Sequence, residues 1–139
     1  MEIRRLGPGD EAAVLAAASL FDTSPELSAT KRFLTDPNHH MLFAFSGGRA
    51  VGFVSGVELT HPDKGTEMFL YELAVDADHR QAGIGTALVV ALRDLAKERS
   101  CYDMWVLTDD ENEAALRTYR KAGSSQASSH ALLTWSLET

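Results

Sequence analysis

The sequence predicts a mixed α+β fold, in which a largely antiparallel sheet contains one parallel crossover. Elements are expected in the order β α α β β β α β α β. In the middle, a strand over residues 68–75, a long amphipathic helix ending near Arg99 and a strand over residues 103–108 follow one another directly. Such a unit joins parallel strands by a right-handed crossover. With 139 residues and 45% hydrophobic content, the chain is predicted to form one domain, 1–139.

The first elements are short. Residues 2–6 predict an edge strand, and Gly7-Pro8-Gly9 ends it. Asp10 is expected to cap a helix that runs to Phe21. A second helix is expected over residues 28–35. Strands over residues 41–45 and 50–58 form a hairpin through Ser46-Gly47-Gly48-Arg49.

The second half contains the longer elements. Residues 68–75 are almost entirely apolar, as in a central strand covered on both faces. The next segment has helical spacing in its apolar residues, which are Ile84, Leu88, Ala91, Leu92 and Leu95. Another helix is predicted over residues 112–122, with Gly123 as its C-terminal glycine. A last strand is expected over residues 131–137.

Charge and cysteine content exclude some classes of function. The net charge is −7, so the chain lacks the basic face of a nucleic-acid-binding protein. An acidic surface serves either solubility or the attraction of a cationic ligand, and composition leaves both open. The single cysteine, Cys101, allows no internal disulfide. Because no signal sequence or apolar span is present, we expect a cytoplasmic protein with no membrane partner.

The most informative segment is residues 75–86, Val-Asp-Ala-Asp-His-Arg-Gln-Ala-Gly-Ile-Gly-Thr. A buried strand ends here, and glycines lie where the long helix begins. The first turn of a helix has unpaired N–H groups and a partial positive charge, which together bind phosphate groups. Glycine allows a close approach of the backbone to such a ligand. The turn therefore predicts a diphosphate site, although a glycine-bearing helix start without a ligand is the simpler alternative.

The motif Arg80-x-x-Gly83-x-Gly85 resembles the signature of the GNAT superfamily of N-acetyltransferases. The later motif Asn112-x-x-Ala115-x-x-x-Tyr119-x-x-x-Gly123 is similar to that family's helix after strand five. The resemblance implies the acyl-CoA N-acyltransferase fold with strands 4 and 5 splayed apart. It also implies acetyl-CoA as the co-substrate and no metal. The implied CoA-binding residues are Leu73, Ala74, Val75, Arg80, Gln81, Ala82, Gly83, Ile84, Gly85, Thr86, Asn112 and Tyr119. The sequence departs from the family pattern at Ser124, where an aromatic residue is common, and this affects the packing of the last strand.

Glu72 and Tyr119 are the predicted catalytic residues. A protonated amine cannot attack a thioester, so the reaction needs a proton acceptor. Glu72 is the one carboxylate within residues 68–75, where burial would raise its pKa. Its alternative role is an ion pair at the wet end of the strand. The resemblance implies that Tyr119 is the general acid for the thiolate, although its spacing also suits a core tyrosine.

The acceptor site is predicted to involve Tyr71, Glu72, Asp109 and Asp110. Acids near a helix N-terminus are also common on solvated surfaces, so this interpretation has an alternative; Asp109 is in addition a rival base. His39-His40 and His61 are expected in loops, without the spacing of metal ligands. Cys101 is expected to be an inert core thiol.

Three further stretches resemble the type I aminoglycoside 3-N-acetyltransferase branch. They are Arg5-Leu6-Gly7-Pro8, Tyr71-Glu72-Leu73-Ala74-Val75 and Leu132-Leu133-Thr134-Trp135-Ser136-Leu137. This likeness implies transfer to a 3-amino group of an aminoglycoside, a small cationic amine. Many relatives form homodimers through the terminal strands, and the resemblance extends that expectation to this chain without independent support from the sequence. The alternatives are another small amine, a protein amine, or a CoA-binding regulatory module without turnover.

Overall fold

Five strands form one sheet in the sequential order β1-β2-β3-β4-β5. The computed structural model describes residues 1–138. The strands are β1 (Glu2–Arg5), β2 (His39–Ser46), β3 (Arg49–His61), β4 (Gly65–Val75) and β5 (Met104–Val106). The helices are α1 (Glu11–Ala16), α2 (Leu27–Thr35), α3 (Ile84–Glu98) and α4 (Glu113–Lys121). Short 3₁₀ turns lie at Ala18–Leu20 and Ala77–His79.

The sheet is covered on both faces, which explains why its central strands are apolar throughout. On one face, α3 packs its buried Leu88 and Leu92 against Met68 and Leu70 of β4. On the other face, Phe43 and Phe53 pack with residues of α1 and α2. Each face thus has its own apolar core, and the sheet lies between the two helical layers.

Gly52 allows α3 and β4 to approach β3 closely. A Cβ atom at this position would lie 2.9 Å from the main-chain oxygen of Ala74 and 3.2 Å from Leu88. The contact with the Ala74 main-chain oxygen is closer than a Cβ atom can approach, so Gly52 allows β3 and β4 to lie this close together.

The predicted crossover and splay are both present. Strands β1 to β4 pair antiparallel, whereas β4 and β5 pair parallel. That parallel pairing runs only from Met68 opposite Met104 to Leu70 opposite Val106. Because β4 continues to Val75, its last residues face a gap where β5 has already ended.

The expected strand over residues 131–137 is wrong. Residues 124–138 contain no helix or strand, and they are exposed throughout. The helix before them ends as predicted, with Gly123 at φ 104° and the Ser124 amide donating to the Tyr119 carbonyl at 3.0 Å. An alternating pattern shows that a segment can form a strand, but it does not supply a neighbouring strand.

The first helix also differs from expectation. Asp10 is the N-cap residue of α1, but its carboxylate accepts a hydrogen bond from the Gly7 amide at 2.8 Å and makes none to the helix. The helix ends at Ala16, and a 3₁₀ turn continues the chain to Leu20.

No helix within residues 1–138 has both the length and the apolar character needed to cross a membrane.

The placement of His39, His40 and His61 in loops is wrong, since all three lie in β2 or β3. His40 is fully buried. Its Nδ1 lies 2.7 Å from the Arg5 guanidinium and its Nε2 lies 2.6 Å from Glu58. Arg99 at the end of α3 donates to the same Glu58 carboxylate at 2.5 Å. These four residues form a polar chain that joins β1, β2, β3 and the end of α3 around the buried His40 ring. A loop position for His40 could not provide this chain.

Candidate functional site

Asp76 holds the turn that follows β4. Its amide donates to the Val51 carbonyl at 2.8 Å, which keeps the end of β4 against β3. Its carboxylate accepts a hydrogen bond from Arg49 at 2.9 Å and lies 3.3 Å from His79. The 3₁₀ turn Ala77–His79 then directs the chain towards α3.

The residues that precede α3 adopt left-handed backbone conformations. Gln81 has φ 66° and Gly83 has φ 81°. For a non-glycine residue such as Gln81, this conformation costs about 1–3 kcal/mol, and residues of this kind cluster at ligand sites. Alternating left-handed residues turn successive N–H groups towards one concave surface that binds anions.

The N-terminus of α3 completes this concave surface. The helix begins at Ile84 after the N-cap Gly83, and no side chain of the described residues caps it. The first bond within the helix runs from the Ala87 amide to the Gly83 carbonyl at 3.0 Å, which leaves the amides of Ile84, Gly85 and Thr86 for a ligand. A Cβ at Gly83 would meet no protein atom within 4 Å. The protein thus leaves open space beside Gly83, and the free donors of this turn fit a diphosphate.

Arg80 lies beside this surface, where its Nε donates to the Val75 carbonyl at 3.4 Å. Gly85 lies at the meeting point of α3 and α4, since a Cβ there would be 3.4 Å from the Thr118 methyl and 3.6 Å from Val75. The side chains of Leu73 and Val75 pack towards α3, and Ala74 packs on the opposite face. Beyond Leu70, the main chain of β4 has no partner in β5. This unpaired edge fits an extended ligand with amide groups, such as the pantetheine arm of CoA.

Glu72 lies on the sheet face opposite α3, because side chains alternate along β4 between Leu73 and Ala74. Its amide donates to the buried Ser55 hydroxyl at 3.2 Å. The register places Ser55 opposite Glu72 and Gly56 opposite Leu70, so Tyr71 is the extra residue of a β-bulge. Bulges of this kind re-aim side chains next to active sites.

Burial raises the pKa of the Glu72 carboxyl, and the negative charge of Asp22 raises it further. The charge that affects Glu72 most is thus another carboxylate, rather than the lysine or arginine that a surface ion pair would require. A carboxyl group in this environment is a better proton acceptor than an ordinary surface glutamate.

Tyr119 lies on α4 and packs against the core formed with α3. Burial raises the pKa of its hydroxyl, so the phenol stays protonated near neutral pH. Asn112 caps the same helix by accepting a hydrogen bond from the Ala115 amide at 3.1 Å. Asn112 is therefore the N-cap residue of α4, and its contact with CoA remains a prediction.

The acidic residues after β5 are exposed. Asp109 and Asp110 line a surface depression with Glu111 and Asn112. The Ser129 hydroxyl donates to the Asp110 carboxylate at 3.1 and 3.2 Å. Of the two acids after β5 that were predicted for the acceptor site, Asp110 is thus already bonded within the chain.

An aromatic cluster that the sequence did not suggest lies on β4 and β5. Phe69 stacks on Trp105 with ring centroids 4.3 Å apart, and Tyr71 meets Phe69 edge-on at 5.7 Å. Asp22 and Ser55 were also missed. Ser55 could have been identified as a candidate site residue, because it is a polar residue within the apolar run of β3. Asp22 could not, because no local pattern distinguishes it from the other surface acids.

The sequence matches the model of the acetyltransferase (GNAT) family over residues 12–123. This range contains the turn at Gln81 and Gly83, Glu72 and Tyr119. The chain belongs to this acetyltransferase family.

A curated relative from the rat, N-acetyltransferase 8, is 30% identical to the chain over 95 residues. The match covers 68% of this chain and 43% of the relative. The chain thus spans less than half the length of this relative.

Several solved structures share the fold of this family member. An aminoglycoside acetyltransferase from an uncultured soil metagenomic sample, in complex with sisomicin, superposes with a TM-score of 0.90 at 20% identity, over 99% of this chain and 96% of that one. A second aminoglycoside acetyltransferase from such a sample has a TM-score of 0.80 at 26% identity, over 97% and 98% of the two chains. AAC(6')-Iy with the bisubstrate analogue CoA-S-monomethyl-acetylneamine has a TM-score of 0.83 at 18% identity, over 97% of each chain.

Proposed function

We propose that the protein is an acetyl-CoA-dependent N-acetyltransferase that acts on a primary amine by direct transfer within a ternary complex. The observation that carries this proposal is the pair of left-handed residues, Gln81 and Gly83, before the uncapped N-terminus of α3. Beside it, β4 leaves an unpaired edge where β5 ends. A diphosphate on the first feature and a pantetheine arm along the second would bring the thioester into the gap between the strands.

In this proposal, Glu72 is the general base and Tyr119 is the general acid. Acetyl-CoA supplies the acetyl group as a thioester. The Glu72 carboxylate accepts a proton from the acceptor ammonium, directly or through water, and its raised pKa suits that role. The Tyr119 hydroxyl, which burial keeps protonated, holds the proton that the departing sulfur requires. The Glu72 side chain lies on the face of the sheet away from α3, whereas Tyr119 of α4 packs on the face that carries α3.

For the acceptor, we propose an aminoglycoside, with the 3-amino group as the site of transfer. The net charge of −7 and the acids near Asp109 would attract a polycation. Solved aminoglycoside acetyltransferases share the fold, one of them at 26% identity. Tyr71 and Asp110 would line the acceptor side, and Asp109 is the alternative base. Because AAC(6')-Iy is also among the similar structures, the position of acetylation needs direct analysis.

A second candidate is acetylation of a different small amine or of a protein amine. The 30% identity to rat N-acetyltransferase 8 favours testing acceptors outside the antibiotics. A CoA-binding module without turnover is the remaining alternative.

One screen tests these candidates together. The purified protein is incubated with acetyl-CoA and separate panels of aminoglycosides, polyamines and amine-bearing peptides, and release of the free thiol is followed. Mass spectrometry and NMR of the products then identify the acetylated nitrogen. Thiol release with an aminoglycoside and a 3-N-acetyl product supports the full proposal. A 6′ product would contradict the position, a different acceptor would contradict the substrate, and CoA binding without turnover would contradict the enzyme.

A further inference from the structure

Helix α4 carries Tyr119, the proposed general acid, and lies at the surface of the protein. None of its own residues, Glu113–Lys121, is fully buried, whereas α3 buries Leu88 and Leu92 completely. The segment that follows α4, residues 124–138, is exposed throughout. Because little of α4 is enclosed by the rest of the chain, a few specific contacts have to fix its position.

Two close contacts with α3 lie on either side of Tyr119. In the residue before it, the Thr118 methyl is 3.4 Å from the place that a Cβ of Gly85 would occupy, so α4 packs here against the start of α3. About one turn after Tyr119, the Ala122 carbonyl accepts a hydrogen bond from Nη1 of Arg93 at 3.0 Å. Tyr119 is therefore held between an apolar contact and a directional hydrogen bond, both of them to α3.

The bond from Arg93 satisfies a carbonyl group at the C-terminal end of α4. The last carbonyl groups of a helix have no donor within the helix and carry a partial negative charge, which favours an arginine there. The Tyr119 carbonyl accepts from the Ser124 amide of the same turn, but the Ala122 carbonyl accepts from another helix. Ala122 is 4% exposed, so water has little access to this carbonyl. Loss of the arginine would leave a buried acceptor unpaired.

The guanidinium of Arg93 is closely fitted to this helix end. A Cβ at Gly123 would lie 3.1 Å from Nη1 of Arg93, so the glycine leaves room for the bond. The Nε of Arg93 is buried and has no hydrogen-bond partner within residues 1–138. A buried unpaired donor costs free energy, and an apolar side chain would join the two helices without that cost. What the arginine adds is the directional bond to Ala122.

We propose that Arg93 is a positioning residue for the reaction, because its bond to Ala122 sets the position of α4 and hence that of the Tyr119 hydroxyl. Arg93 acts through α4 and not by contact with the reacting groups. The inference rests on the proposed function, in which the Tyr119 hydroxyl holds the proton for the departing sulfur. A displacement of about 1 Å in a catalytic group costs about 10²-fold in rate.

Steady-state kinetics with acetyl-CoA, and with the acceptor that releases most thiol in the screen above, test this role. Arg93→Met keeps the apolar stem and removes the donors, and kcat is expected to fall at least about tenfold. The KM for acetyl-CoA is expected to change by less than about twofold, because the bond orients a group for chemistry. Arg93→Lys keeps a charged donor and should recover part of kcat. Asp94→Asn removes the carboxylate 3.6 Å from Arg93, and Lys97→Met removes the next basic residue of α3; both controls should keep the wild-type kcat.

The double variant Arg93→Met/Tyr119→Phe separates positioning from general support of the fold. If Arg93 acts through the Tyr119 hydroxyl, the double variant should have the kcat of Tyr119→Phe alone. Losses of kcat that multiply in the double variant would overturn the proposal. Amide hydrogen exchange gives a readout without activity: exchange at residues 119–122 should be at least about tenfold faster in Arg93→Met than in the wild type. Unchanged exchange at these amides would also overturn it.

The same variants distinguish failure of this inference from failure of the proposed function. If the wild type shows no turnover, or if Tyr119→Phe keeps the full kcat, the proposed function is wrong in its chemistry and Arg93 positions no catalytic group. If Tyr119→Phe loses kcat and Arg93→Met does not, the proposed acid is supported and the inference about Arg93 alone is overturned.

Discussion

Glu72 owes its expected reactivity to two neighbours on different elements. Ser55 of β3 accepts a hydrogen bond from the Glu72 amide at 3.2 Å and supports the bulge that turns the carboxylate away from α3. Burial raises the pKa of Glu72, and Asp22 in the loop before α2 raises it further. The ionised carboxylate is therefore costly in the folded protein, and this cost suits Glu72 to the proposed role of proton acceptor.

Replacing this carboxylate should separate activity from stability. Glu72→Gln is expected to lower kcat/KM by about 10²–10⁴-fold, because the proton acceptor is lost. A carboxyl group with a raised folded-state pKa adds stability below its unfolded pKa and loses it as the pH rises through the folded pKa. The variant should therefore melt at the same or a slightly higher temperature at neutral pH. Steady-state kinetics and thermal unfolding measure the two effects, and Glu98→Gln at the exposed end of α3 is the control.

The pH profile of the wild type gives a second readout for the same residue. Because the pKa of Glu72 is raised above 4.5, kcat/KM should rise with pH through that higher value and then level off. This rise of kcat/KM with pH should be absent from the residual activity of Glu72→Gln. Full activity in Glu72→Gln would show that another residue is the base, and Asp109→Asn would then be the next variant to measure.

Tyr119 should matter to chemistry more than to folding. Tyr119→Phe keeps the ring that packs against the α3 core and removes only the hydroxyl. We expect kcat to fall by about 10²-fold, with little change in the affinity for CoA. Tyr102→Phe is the matched control, since that exposed tyrosine donates to Glu67 at 2.9 Å on a different part of the sheet. Unchanged kcat in Tyr119→Phe would show that the hydroxyl is not the acid.

At the scale of elements, the turn between β4 and α3 is shaped by backbone conformation rather than by basic side chains. Gly83→Ala places a methyl group in the open space beside the turn and forces a left-handed residue to carry a Cβ, which costs about 1–2 kcal/mol. We expect at least a tenfold loss of CoA affinity by calorimetry, with a modest loss of stability. Gly65→Ala has the same strain, because Gly65 has φ 92° and open space around it. This control should lose stability alone, and equal CoA affinities in the two variants would contradict the role of the turn.

Elements set by local patterns were predictable, and those set by distant partners were not. The glycine-bearing start of α3 and the end of α4 at Gly123 depend on a few adjacent residues, so the sequence indicated both. The expected strand at residues 131–137 had the correct alternation but no neighbour in its own chain. His40 was misplaced because its partners, Arg5 and Glu58, come from separate strands. For the same reason, Asp22 was not recognised as a neighbour of Glu72.

In the whole molecule, the end of β4 beyond its pairing with β5 and the polar chain around His40 lie in different parts of the sheet. Arg5 donates a hydrogen bond to Nδ1 of His40. The proton of the neutral imidazole is therefore on Nε2, which donates a hydrogen bond to the Glu58 carboxylate. Burial lowers the pKa of His40, in spite of the Glu58 hydrogen bond, which raises it. Burial alone would raise the pKa of Glu58, but its hydrogen bonds to His40 and Arg99 outweigh this effect and leave the pKa lowered.

These shifts predict how the global stability depends on pH. A group with a lowered folded-state pKa stabilises the fold above its unfolded pKa, and this stability is lost as the pH falls. For His40 the loss begins near its ordinary value of 6.5, and Glu58 adds to it below 4.5. The melting temperature should therefore fall as the pH drops from about 7 to about 5, with a shallower slope in His40→Gln. His130→Gln in the exposed C-terminal segment is the control, and an identical slope in all three proteins would contradict this role for His40.

We propose that the backbone between Gln81 and Thr86 binds the diphosphate of CoA. Titration of ¹⁵N-labelled protein with CoA, followed by amide NMR, reports on each of these amides separately. The largest shift changes are predicted at the amides of residues 81–86, with a second group along β4 at Leu73 and Val75. Absence of any shift, or changes confined to another surface such as the depression at Met1, Arg4 and Phe45, would contradict the claim.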